Sequence, residues 1–152
     1  MKKLLLLTMS ALFIFTGCQK KEESKSVDVS TLADEIVQTK AFDDSLSKTE
    51  NNVAYMLLNI DSEKINDISC YMNTGATPEM VVVLKANEDY KQTAIDSLKS
   101  YINSEKENFE SYKPEEVVKI DNMILQEVSD TVVLCVSNKS DKVNEILNNY
   151  SK

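Results

Sequence analysis

Histidine, arginine and tryptophan do not occur in this chain of 152 residues; glycine and proline occur twice each and cysteine three times. Without histidine there is no Ser-His-Asp or Cys-His pair, no imidazole ligand for a metal, and no side chain that ordinarily titrates near neutral pH. Without arginine there is no planar fork to grip phosphate, carboxylate or guanine at two points. The only side-chain cations are lysines, 17 against 25 acids, and the net charge of -8 argues against nucleic acid, whose phosphates are bound by neutralising them. What is present, 42% hydrophobic and 28% charged residues, suits one globular domain. No cofactor and no metal is expected.

The N-terminus reads as an address. Met1-Lys2-Lys3 is positive, and residues 4–15 (LLLLTMSALFIF) form an apolar run. A spanning helix needs about 20 apolar residues, so this run is too short for one and has the layout of a secretory signal peptide over residues 1–17. The segment Phe15-Thr16-Gly17-Cys18 resembles the lipobox of bacterial lipoproteins. That resemblance implies that Cys18 carries a diacylglyceryl thioether and heads the mature chain, which is thereby held on the outer face of the cytoplasmic membrane. Two acyl chains give stable anchoring where one is marginal. Residues 18–28 then read as the lipidated cysteine and a flexible polar linker, and residues 29–152 as one extracytoplasmic domain. That domain holds 12 lysines and 22 acids, so an anionic lipid surface repels it.

Within the domain, Val29, Leu32, Ala33 and Ile36 recur at helical spacing, with Asp28 or Ser30 as N-cap, and predict a helix over residues 30–39. Residues 43–52 read as loop and residues 53–60 (VAYMLLNI) as a strand. Residues 67–73 alternate as a half-buried strand, residues 73–78 (NTGATP) turn at Gly75, and residues 80–84 (MVVVL) make a strand for the middle of a sheet. A long helix capped by Asn87 follows, with Tyr90, Ala94, Ile95, Leu98, Tyr101, Ile102, Phe109 and Tyr112 along one stripe. Pro114 opens a short helix through Lys119, residues 123–128 and 131–137 are strands joined at Ser129-Asp130, and Ser140 caps a last helix. The expected fold class is α+β, a single five-stranded, mostly antiparallel sheet packed with helices in the order α-β-β-β-α-(α)-β-β-α.

Residues 71–86 (YMNTGATPEMVVVLKA), the long helix and residues 109–117 (FESYKPEEV) resemble a family of small Gram-positive lipoproteins that carry a domain of unknown function. The matching residues are Tyr71, Gly75, Ala76, Glu79, Lys85, Phe109, Tyr112 and Pro114. The resemblance implies a lipid-anchored extracytoplasmic protein and brings no activity with it.

Each chemical candidate has a plainer alternative. Cys70 and Cys135 invite a disulfide in an oxidising compartment, or are two buried thiols acting as small hydrophobes. A catalytic thiol lacks a histidine to activate it. Ser45 and Lys48 match S-x-x-K, but the S-D-N and K-T-G partners are missing. The carboxylates of Asp43-Asp44, Glu115-Glu116 and Asp61, Glu63 and Asp67 read as solvated surface, or as an acid/base pair if the fold brings two together. Tyr71, Gly75, Glu79, Lys85 and Tyr112 are a candidate recognition patch on one sheet edge; the alternative is a turn constraint, a strand-end ion pair and two packed rings. The expectation is a lipid-anchored module that binds a protein or another envelope component, with a carboxylate-dependent envelope hydrolase or a small cationic-ligand-binding lipoprotein as alternatives.

Overall fold

The computed structural model describes residues 26–151. The stretch read as a signal peptide, Cys18 and most of the stretch read as a linker therefore lie outside the described residues. The elements follow in the order α1 (Val29–Val37), β1 (Ser47–Thr49), α2 (Asn51–Leu57), β2 (Ile65–Met72), β3 (Met80–Ala86), α3 (Lys91–Tyr112), α4 (Val117–Asp121), β4 (Ile124–Val128), β5 (Thr131–Val136) and α5 (Ser140–Tyr150), with 3-10 turns at Ser62–Lys64 and Pro114–Glu116. The five strands form one sheet in the order β1-β2-β3-β5-β4, and every neighbouring pair is antiparallel. The fold is α+β.

β3 and β5 carry no alternation because neither has a solvent face. Met80, Val82, Leu84, Val132, Leu134 and Val136 point into one core, which α2, α3 and α4 close with Ala54, Leu58, Ala94, Leu98, Ile102, Phe109 and Ile120. Val81, Val83, Val133 and Cys135 point into a second core, closed by Leu32, Ala33 and Ile36 of α1 and by Val143 and Leu147 of α5. Antiparallel sheets commonly leave one face to water. Here helices cover both.

Two expectations need correction. Residues 53–60 are not a strand: they hold most of α2, and Ala54 in the helix and Leu58 just past its end, four apart, are buried, while Met56 stays 73% exposed and Leu57 45%. An apolar run of this length looks the same in either state, and the helix leaves part of its apolar surface outside. The missing strand is β1, in the stretch read as loop. Its sequence Ser-Lys-Thr carries no apolar signal because it is an edge strand held by main-chain pairing to Cys70, Tyr71 and Met72. The element order is therefore α-β-α-β-β-α-α-β-β-α.

Local signals acted with small shifts. Asp28, not Ser30, caps α1, its Oδ1 accepting from the Thr31 amide at 2.7 Å. α3 starts one turn after Asn87, whose carbonyl accepts from the Tyr90 and Lys91 amides. Ser140 is the first residue of α5 rather than its cap. Val27 is buried in the second core, so the folded unit takes in the last residues of the stretch read as linker.

Gly75 has φ of 92°, and a Cβ there would meet nothing within 4 Å. The requirement for glycine is thus conformational, not spatial. Gly75→Ala should lower stability by about 1 kcal/mol, the cost of a left-handed residue with a Cβ, in urea denaturation, with the slope unchanged.

Candidate functional site

Glu79 sits directly before β3 and is buried. Its two carboxylate oxygens accept from the backbone amides of Asp43 and Asp44 at 3.0 Å, which pins the loop leading to β1 against the end of the sheet. Lys119 of α4, also buried, places Nζ 3.3 Å from Glu79, 2.8 Å from Asp43 and 2.9 Å from Glu116. Asn138, just past β5, donates to the Asp43 carboxylate at 2.8 Å. Burial alone would lower the Lys119 pKa, but Asp43, Glu116 and Glu79 outweigh it and hold the ammonium well above its ordinary range. The Asp43 carboxyl is held below its ordinary range by hydrogen bonds from Lys119 and Asn138. Three segments distant in sequence are joined here by one lysine and three carboxylates, and Asn138 ties in a fourth.

Lys85 closes the other end of β3. Its Nζ lies 2.7 Å from Asp130 in the β4–β5 turn and donates to Ser26 Oγ at 2.9 Å and the Val27 carbonyl at 3.2 Å. The Val27 amide in turn donates to Asp130 at 3.1 Å. Burial pushes the Asp130 carboxyl up, and Lys85 with the Val27 amide brings it below its ordinary range.

Tyr71 lies on the face covered by α1 and donates its hydroxyl to Asp34 at 2.5 Å. This bond, with burial, pushes the phenol up to about 12. Lys48 of β1 stands 5.8 Å from the ring centre. Tyr112 is 73% exposed at the last turn of α3 and shares a surface groove with Gly75 and the buried Phe109. The five patch candidates do not form one edge. Gly75 and Tyr112 come together, Glu79 is buried at the same end of the sheet, Tyr71 packs on one sheet face, and Lys85 is at the far end.

Sequence reasoning did not single out Lys119, Asp43 or Asn138 as partners of Glu79. The one local signal was the three-residue spacing of Glu116 and Lys119 on a helix. Of the other carboxylates, Asp61 caps the Ser62–Lys64 turn, its Oδ1 accepting from the Glu63 amide. No group of three or more metal-binding side chains occurs among the described residues.

Cys70 and Cys135 are both free and buried, one in each core. The sheet lies between their side chains. Burial pushes the Cys70 thiol up to about 11 and that of Cys135 up to about 12.

A single antiparallel sheet held between two helical layers, with an ion cluster at each end of its central strand, defines the class of protein. Within that class the chain belongs to the family described as Domain of unknown function (DUF4358), which matches residues 37–137. No curated protein and no solved structure matches it.

Lys119→Ala, which leaves three carboxylates facing one another, should cost about 3 kcal/mol in chemical denaturation. Asp43, with its pKa held down, contributes fully above 3.8 and loses its contribution as pH falls through its folded value; Lys119, with its pKa held up, contributes fully below 10.5 and loses its contribution as pH rises. The difference between wild type and Lys119→Ala should therefore be largest near neutral pH and narrow towards both acid and alkaline pH. A second check uses alkylation: iodoacetamide at pH 8 should leave Cys70 and Cys135 unlabelled in the native protein and label both on denaturation without reductant.

Proposed function

We propose that this protein is a lipid-tethered interaction module, anchored through Cys18 on the outer face of the cytoplasmic membrane, whose folded domain binds a protein or another envelope component. The observation that carries the reading is where the reactive groups are held. Glu79 and Lys119 are buried and saturated by each other, by backbone amides and by neighbouring carboxylates. Both thiols are buried on opposite faces of the sheet with raised pKa values. These groups hold the fold together and do not face a ligand. Among the side chains that do face outward are Tyr112 and Met56, residue types enriched at contact surfaces. Among the described residues no helix is long and apolar enough to cross a membrane, so attachment in this reading falls to the lipid.

The anchor is tested by Cys18→Ala, which should release the protein from the membrane fraction or leave its signal uncleaved; acyl incorporation in that variant would refute the assignment. The module is tested by cross-linking in intact cells, with quantitative mass spectrometry against a domain-deleted protein carrying the same anchor. A partner enriched by the folded domain is the expected result. Equal recovery with and without the domain would overturn the reading.

A further inference from the structure

We infer that the groove between the Gly75 turn and the last turns of α3 docks a lysine- or arginine-bearing segment of a partner protein. The inference rests on the reading of the domain as a tethered module and names its contact surface.

Position is the first argument. Ser26, where the described chain begins, is held by Lys85 at one end of the sheet. The Gly75 turn joins β2 to β3 at the opposite end, and α3, 22 residues or about 33 Å long, runs from the Ser26 end to this one. Residues 18–25 reach at most about 28 Å. The Gly75 end is thus the end of the domain farthest from where the tether enters it.

Construction is the second. Lys113, just past α3, donates Nζ to the Ala76 carbonyl at 2.9 Å, the Gly75 amide donates to the Asn73 side chain at 2.6 Å, and Asn73 also bonds Thr77. The groove, about 450 Å³, has Phe109 beneath it at 5% exposure and Tyr112 at its side at 73%. It is therefore a formed surface with an uncovered aromatic ring.

Charge identifies the occupant. Glu105 and Glu107 line the groove, and Glu110 lies on the same final turns; none of the three has a lysine within 4 Å among the described residues. Lys106 is engaged with Asp121 at 2.6 Å, and Lys113, at the edge of the groove, is held by the Ala76 carbonyl. Glu110, in the last turn of α3, opposes the helix dipole, and that turn has no basic residue to offset it. A docked cation can meet a groove glutamate and the face of Tyr112. The aromatic floor and wall give a peptide chain contact area that a lone ion cannot use.

The test uses the full chain in detergent micelles labelled with 15N-glycine, since Gly17 and Gly75 are its only glycines and Gly75 reports from the groove itself. The probes are a decapeptide of alternating lysine and serine, the same peptide with glutamate for lysine, and spermidine. The lysine peptide should shift the Gly75 signal saturably below about 1 mM, and the glutamate peptide should not. Tyr112→Ala and the double variant Glu105→Gln/Glu107→Gln should each weaken binding about tenfold, with the urea midpoint of the unbound protein unchanged, while Asn148→Ser on α5, across the sheet, should bind as wild type. No shift at that concentration, undiminished binding by the double variant, or an equal response to spermidine would each overturn the inference. If cells yield a domain-specific partner that the Tyr112 and glutamate variants retain, the module reading stands and this surface falls. If no domain-specific partner is captured, the module reading itself fails.

Discussion

β3 is a strand with no face for water, and most of the architecture follows from that constraint. Met80, Val82 and Leu84 need apolar cover on one side of the sheet, and Val81 and Val83 need it on the other. A fully buried Val or Leu side chain contributes about 1.5–3 kcal/mol, so leaving either face bare would forfeit several such terms at once. The neighbouring β5 imposes the same demand through Val132 to Val136. An antiparallel sheet that could have had a solvated face is thereby committed to two helical layers.

A strand buried this completely must deal with charge where it emerges. Glu79 and Lys85 stand at its two ends, and each is matched within the fold: Glu79 by Lys119 and the loop amides, Lys85 by Asp130 and the incoming Val27 segment. Each cluster ties down a segment that the sheet itself does not hold. The first secures the loop before the edge strand and the short α4; the second secures the chain's entry into the domain and the β4–β5 turn. Removing Lys119 from the first cluster leaves the buried Glu79 charge uncompensated, which costs more than the intact pair contributes. Glu79 and Lys85, which the sequence suggests as recognition residues, thus act on the fold, whereas Tyr112 remains turned outward.

The strands and helices with strong periodicity were legible before any coordinates. α1, α3, β2, β3, β4 and β5 follow from apolar spacing and turn residues, with ends displaced by a residue or a turn. The failures share one cause. β1 is three polar residues whose strand geometry comes from pairing with β2, and α2 is an apolar run whose helical state is decided by Ala54 and Leu58 packing under it. Neither fact resides in the local sequence. The same holds for Lys119: a lysine three residues after a glutamate looks like surface until α4 turns it toward Glu79.

By itself the sequence determined the absence of imidazole and guanidinium chemistry, the α+β class and the central place of residues 80–84. These rest on composition and on periodicities that local backbone geometry imposes. Tertiary structure alone decided that both sheet faces are covered, that Cys70 and Cys135 lie in separate cores, and that Glu79 meets Lys119. It alone placed Gly75 and Tyr112 in one groove. Such pairings depend on strand order, register and helix placement, which form when distant segments pack together and leave no mark in the spacing of the residues concerned.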